Sequence, residues 1–159
     1  AYGIARQYNL IPPVMEQSQY NMFHRERLEQ RIAPLAKELG LGLTTFSPLH
    51  SGVLTGKYNN GIPEGSRASL DSMAWIKNLL TPKRLSIVQE LELISAELGI
   101  TQAQLAIAWL LRRKEVSSVI TGATRLSQLQ DNLGAAHAVD LLSDDVLDEI
   151  DAILEDVPE

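Results

Sequence analysis

Apolar positions recur along the chain with two periods. Between Thr81 and Gly99, the residues Leu85, Val88, Leu91, Ile94 and Leu98 fall at three- and four-residue spacing, which predicts a helix with one buried face. Thr81 as N-cap with Pro82 behind it starts that helix, and Gly99 stops it. Thr101 with Gln104 forms a capping box that opens a second helix, running through Arg113. Short apolar and Thr-rich runs at 14–19, 41–46 and 116–121 predict strands, the last of a fully buried type. Further helices are predicted at 25–39, interrupted or restarted at Pro34 and ended by Gly40, at 70–80 and at 124–136. Ser143 caps a last helix carrying Leu147, Ile150 and Leu154. Between them, 47–69 predicts a long loop punctuated by Pro48, Gly52, Gly56, Gly61 and Pro63. Loops of that length without regular structure usually carry function or are disordered.

The predicted order is strand, helix, strand, loop, helices, strand, helix, helix. Such alternation implies an α/β fold with parallel strands joined by helical crossovers. Three parallel strands cannot close a barrel, and they leave unpaired edges. A (β/α)8 barrel takes eight strands and about 250 residues. This chain would supply the last three, although the pattern alone equally allows a small open sheet. The segment 1–7 reads as the tail of a helix, broken by Pro12-Pro13, and the first residue is Ala1 rather than Met. The expectation is that an upstream half precedes it.

Composition narrows the function classes. The chain has 159 residues, 45% hydrophobic and 21% charged, a globular rather than a disordered balance. It contains no apolar run near the ~20 residues of a membrane helix, and no signal-peptide pattern at the start. Zero cysteines exclude disulfides and thiolate metal sites and fit a reducing compartment, so a cytoplasmic location is expected. A net charge of −6 without a Lys/Arg stripe argues against nucleic acid or an anionic membrane as the main partner.

Several familiar chemistries are missing. Gly52, Gly56 and Lys57 superficially suggest a phosphate loop, but the spacing is one residue short and Tyr58 stands where Ser or Thr must bind magnesium. Gly40 and Gly42 are followed by Leu43-Thr44-Thr45, which breaks the dinucleotide fingerprint of doubly wound folds. His24, His50 and His137 share no ligand spacing, so no metal site is expected. There is no serine nucleophile elbow.

Three segments are specific in combination: EQSQYNMFHRE, TTFSPLHSGVLTGKYNNGIPEGSRAS and VSSVITGATRLSQLQDNLGA. They carry the phrases SPL-x-x-G-x-x-x-GKY, GIP-x-x-SRAS and GA-[ST]-x-x-x-QL-x-[DE]-N. Across nearly its whole length the chain resembles the aldo-keto reductases, and among them the potassium-channel beta subunits and their bacterial relatives. That resemblance implies the last three βα units of a TIM barrel, plus a C-terminal helix, in an NADP(H)-dependent reductase of aldehydes and ketones. The alternative it implies is a cofactor-sensing channel beta subunit with little turnover.

The same resemblance implies a cofactor site. Gln17 matches the strand-end glutamine that bonds the nicotinamide carboxamide, and an amide suits that partner because it both donates and accepts. Phe46 matches the aromatic that stacks on the nicotinamide ring. Ser47, Pro48, Leu49 and Ser51 match the turn against the pyrophosphate, and Gly52 allows the backbone to come close. Lys57 and Arg67 match basic residues of the loop over the cofactor, where they would neutralise phosphate charge. Gly122, Thr124 and Arg125 lead into a helix N-terminus that in the family receives the 2′-phosphate, favouring NADP(H) over NAD(H). Gln128, Asp131 and Asn132, on one helix face, match residues that contact the adenosine. The chain departs from close relatives at Gly65, where they carry Tyr, and at His50, where a small residue is usual and an imidazole would narrow the substrate mouth.

The family's chemistry draws an Asp, a Tyr, a Lys and a His from the first four strands, the Lys lowering the pKa of a proton-donating Tyr. None of those motifs is in this sequence, and Tyr20, Tyr58 and Lys57 match other positions. No residue here is expected to be catalytic. The implied partners are a small carbonyl substrate, the missing N-terminal half of the barrel, a possible homo-oligomer and, under the alternative, a membrane channel.

Overall fold

A computed structural model describes residues 1–155 and 157. Three strands, β1 (Met15–Gln19), β2 (Gly42–Phe46) and β3 (Val116–Val119), pair in parallel in the order β1-β2-β3. Helix α1 (Tyr2–Gln7) precedes them, and α2 (Ala33–Leu39) links β1 to β2. Two helices, α3 (Pro82–Glu97) and α4 (Gln102–Leu111), link β2 to β3, and α5 (Leu126–Ala138) and α6 (Asp144–Leu154) complete the chain.

The capping chemistry holds where it was read. Thr81 accepts the Arg84 N–H at 3.3 Å and starts α3. Thr101 and Gln104 bond each other's backbone N–H groups at 3.1 Å, the complete capping box of α4. Ser143 accepts from Val146, and Asp144 and Asp145 sit in the first turn of α6, where the helix dipole favours negative charge. Helix α4 buries nearly every residue from Ala103 to Leu110, which is why it is apolar all round. Among the described residues no single helix is long and apolar enough to cross a membrane.

Elsewhere the local structure departs from expectation. The run expected at 25–39 is a widened π turn, Arg27–Ile32, followed by α2. Pro34 explains it: a proline has no N–H to give, and its ring collides with the carbonyl four residues back. The run at 70–80 is 3-10 rather than α-helical, Asp71–Leu79, with a kink at Met73. Short 3-10 turns lie within the long loop at His50–Thr55, which is broken by non-helical backbone at Ser51 and Gly52, and at Arg67–Ser69. The expected buried strand at 116–121 is shorter, and only Val116 of it is buried. A register shift between Leu43 and Thr44 leaves Ser117 without a partner and turns Ser118 to the open face.

The sheet is therefore two-sided. Ser18, Leu43, Thr45 and Val116 are buried beneath the helices. On the opposite face Met15, Gln17, Phe46 and Ser118 are exposed. A buried polar knot closes the β1 end. The fully buried Tyr20 donates to Glu29 at 2.7 Å and accepts from Arg113 at 2.8 Å, while Arg113 pairs with Glu29 at 3.1 Å. Burial, then the Glu29 carboxylate, hold the Tyr20 phenol well above its ordinary pKa, so it stays protonated and acts as a donor. Replacing Tyr20 by Phe removes the hydroxyl that bonds both Glu29 and Arg113 and leaves the pair only each other. The expected cost is about 1–3 kcal/mol in urea unfolding, and an unchanged midpoint would contradict this role.

Candidate functional site

Because the strands are parallel, their C-terminal ends lie on one side. The 47–52 turn leaves β2 there, and the 120–125 segment leaves β3 there. Gln17 pairs in register with Thr44, Thr44 with Ser118, and Gln19 with Phe46. Residues paired in this way share a face, so Gln17, Thr44, Ser118 and Phe46 all lie on the open side, with Phe46 one step nearer the strand ends. Thr44 Oγ1 has no hydrogen-bond partner although the atom is buried.

The turn after β2 holds unusual backbone. Ser47, His50 and Ser51 adopt left-handed φ of 57°, 44° and 59°, and Gly52 follows at 92°. Non-glycine residues held there cost roughly 1–3 kcal/mol each, and such strain collects at ligand-binding turns. Asn21, fully buried, anchors the first of them: its Nδ2 donates to the Ser47 carbonyl at 2.9 Å, and its Oδ1 accepts the Phe23 N–H at 3.0 Å. The Lys57 ammonium lies over Gly52, 2.7 Å from where a Cβ would sit, and the φ of 92° at Gly52 favours glycine there. Gly56, at φ 74°, likewise leaves a place that the Gln102 amide fills, and Gln102 bonds the Val88 carbonyl. The turn is thereby pinned to both α3 and α4.

His50 does not stand free at the mouth. Its ring meets Phe23 edge-on at 5.4 Å, and its Nε2 is buried without a partner. Burial, with smaller contributions from the Arg84 and His24 charges, drives its pKa down to about 4.

The second half of the site is the entry to α5. The helix begins at Leu126 rather than at Thr124, with Arg125 at the N-cap and no side chain capping it. Thr124 instead donates its N–H to Gln128 Oε1 at 2.9 Å and its hydroxyl to the same atom at 3.2 Å. That bond holds Gln128 back toward Thr124 and delays the first helical turn. Asp131 accepts from the Thr101 hydroxyl at 3.0 and 3.1 Å, and Asn132 is buried. The Asp131 bond ties α5 to the start of α4. Arg67 touches Met73 Sδ at 4.0 Å. Lys57, Arg67 and Arg125 have no carboxylate partner among the described residues.

The structure thus gathers Gln17, Phe46, Ser47, Pro48, Leu49, Ser51, Gly52 and Lys57 with Gly122, Thr124 and Arg125 at one end of the sheet. Sequence reasoning did not single out Asn21, Thr44 or Gln102. Among the described residues no cluster of His, Asp or Glu is placed to hold a metal ion.

The chain is thus a parallel α/β layer with a strained turn and an uncapped helix N-terminus at its strand ends. The model of the aldo/keto reductase family matches residues 3–155, and the chain belongs to that family. A relative described as a probable voltage-gated potassium channel subunit beta, from Arabidopsis thaliana, is 48% identical over 160 residues. The match covers 99% of this chain and 49% of that protein, so the chain spans about half the relative's length.

One consequence concerns acid. The His50 pKa in the folded state lies below its unfolded value near 6.5, so the unfolded chain binds more protons between the two. Stability present above about pH 6.5 is lost as pH falls toward about 4. Urea unfolding at neutral and acid pH should show a smaller acid loss for His50→Gln than for wild type. Equal losses would contradict this account.

Proposed function

We propose that this chain is the cofactor-binding half of a cytoplasmic, NADP(H)-dependent aldo-keto reductase that reduces small aldehydes or ketones. The observation that carries the reading is the left-handed turn at 47–52 standing beside the open face that holds Gln17 and Phe46. The open face also supports a half-barrel: in a closed (β/α)8 barrel that face would line the packed interior.

The residues present fit an anionic dinucleotide. The α5 N-terminus has no side-chain cap, and an anion there would meet free N–H groups and the positive end of the helix dipole. Among the described residues Lys57, Arg67 and Arg125 lack carboxylate partners, so their charge is available to phosphates. In this reading Gln17 orients the carboxamide, Phe46 stacks on the ring, and 47–52 with Lys57 holds the pyrophosphate. Thr124 and Arg125 select the 2′-phosphate. Bound there, NADPH supplies the hydride. The chain's own residues orient it and exclude water; the proton-donating tetrad belongs to the other half.

A second reading, a cofactor-sensing beta subunit with little turnover, draws on the 48% identity to the relative described as a probable voltage-gated potassium channel subunit beta. Steady-state reduction of simple aldehydes by the full-length protein separates the two.

The direct test is fluorescence titration of the full-length protein with NADPH and NADH. NADPH should bind tighter, and Arg125→Ala should weaken NADPH by about tenfold or more while leaving NADH nearly unchanged, the loss of one charge-assisted bond. Equal weakening of both cofactors would remove the 2′-phosphate assignment, and no binding by wild type would remove the reading.

A further inference from the structure

We propose that Asn60-Gly61 is a self-modification site, at which the Asn60 side-chain amide is converted to a carboxylate without an enzyme. The sequence holds a single Asn-Gly pair: its other asparagines precede Leu, Met or Asn, and no Asp precedes Gly. The pair lies in the long loop beyond the site turn. Tyr58 is buried and anchors the loop, but every residue from 60 to 65 is exposed.

The reaction needs the Gly61 nitrogen to reach the Asn60 side-chain carbon. A β-carbon on the following residue ordinarily obstructs that approach. Gly61 has none, and the space where one would sit is empty to 4 Å. Its φ of 109° is reached easily only by glycine. Asn60 has no hydrogen bond among the described residues, so its side chain is free to turn. Its neighbour differs: Asn59 donates to Glu92 at 2.8 Å and is followed by a side chain. One restraint opposes the attack, a 3.2 Å bond from the Gly61 N–H to the Tyr58 carbonyl. It lies in an exposed turn and has to open first.

In the first step, base takes the Gly61 amide proton and the nitrogen attacks Asn60 Cγ. The new C–N bond closes a five-membered succinimide. The Cγ–Nδ2 bond breaks, and the nitrogen leaves with a proton as ammonia. Water then opens the ring at Cγ to give Asp, or at the main-chain carbonyl to give isoaspartate. Water enters, ammonia departs, and nothing is oxidised or reduced. The product carries a new negative charge three residues from Lys57, and the isoaspartate form lengthens the main chain by one methylene. Insofar as Lys57 holds phosphate, a consequence that rests on the cofactor reading, modification weakens dinucleotide binding.

The test incubates the full-length protein at mildly alkaline pH and maps the tryptic peptide 58–67 by mass. The expected result is a gain of one mass unit at Asn60, split between two separable products, faster at higher pH, with Asn59 and Asn78 retaining their amides. Asn60 keeping its amide as long as Asn78 does would overturn the proposal. Asn60→Gln should abolish the mass gain. For the consequence, Asn60→Asp should bind NADPH roughly two- to fivefold more weakly, the size of one screened charge pair, and Asn60→Gln should bind as wild type does. Wild-type affinity in Asn60→Asp would remove that consequence, whereas no NADPH binding by any form would sink the cofactor reading and leave the mass result to decide this one.

Discussion

Parallel pairing is the constraint on which the rest of this structure depends. A parallel strand cannot return through a tight hairpin; it must come back through a helix on the covered face. All three strands therefore deliver their C-terminal ends to the same side. That alone brings the turn after β2 beside the segment after β3, although more than seventy sequence positions separate Ser47 from Thr121. It also leaves the opposite face free, and Gln17, Thr44 and Phe46 occupy it in register.

The turn after β2 spends stability to hold its shape. Three non-glycine residues sit in left-handed backbone, and the turn stays folded because its surroundings fix it from several sides. Asn21 holds it to the end of β1, and Gln102 fills the place beside Gly56 and ties it to α4. The polar knot of Tyr20, Glu29 and Arg113 then secures the end of β1 from which Asn21 projects. Two buried polar clusters thus support one strained turn.

Much of the fold was legible because its signals are local. Thr81, Thr101 with Gln104, and Ser143 each cap a helix through bonds spanning three residues, and the sequence displays both partners. Boundaries governed by distant or competing bonds were not legible. The start of α5 moved because Thr124 bonds Gln128 instead of capping, and the exposure of β3 depends on a register shift against β2. The site divides along the same line. Specific motifs marked the 47–52 turn and the α5 entry, but not the left-handed backbone of the one or the missing side-chain cap of the other. The contact that Asp131 makes could not be read either, because helical spacing places it on a face without saying that the Thr101 hydroxyl claims its carboxylate. The anchor Asn21 becomes visible only when its partner, twenty-six residues away, is seen.

The central claim is that 47–57 and 121–128 together grip a dinucleotide. Hydrogen exchange of the full-length protein, with and without NADPH, tests it most directly. The account predicts added protection in both segments, with α6 unchanged. Protection confined to one segment, or lying elsewhere in the chain, would contradict it.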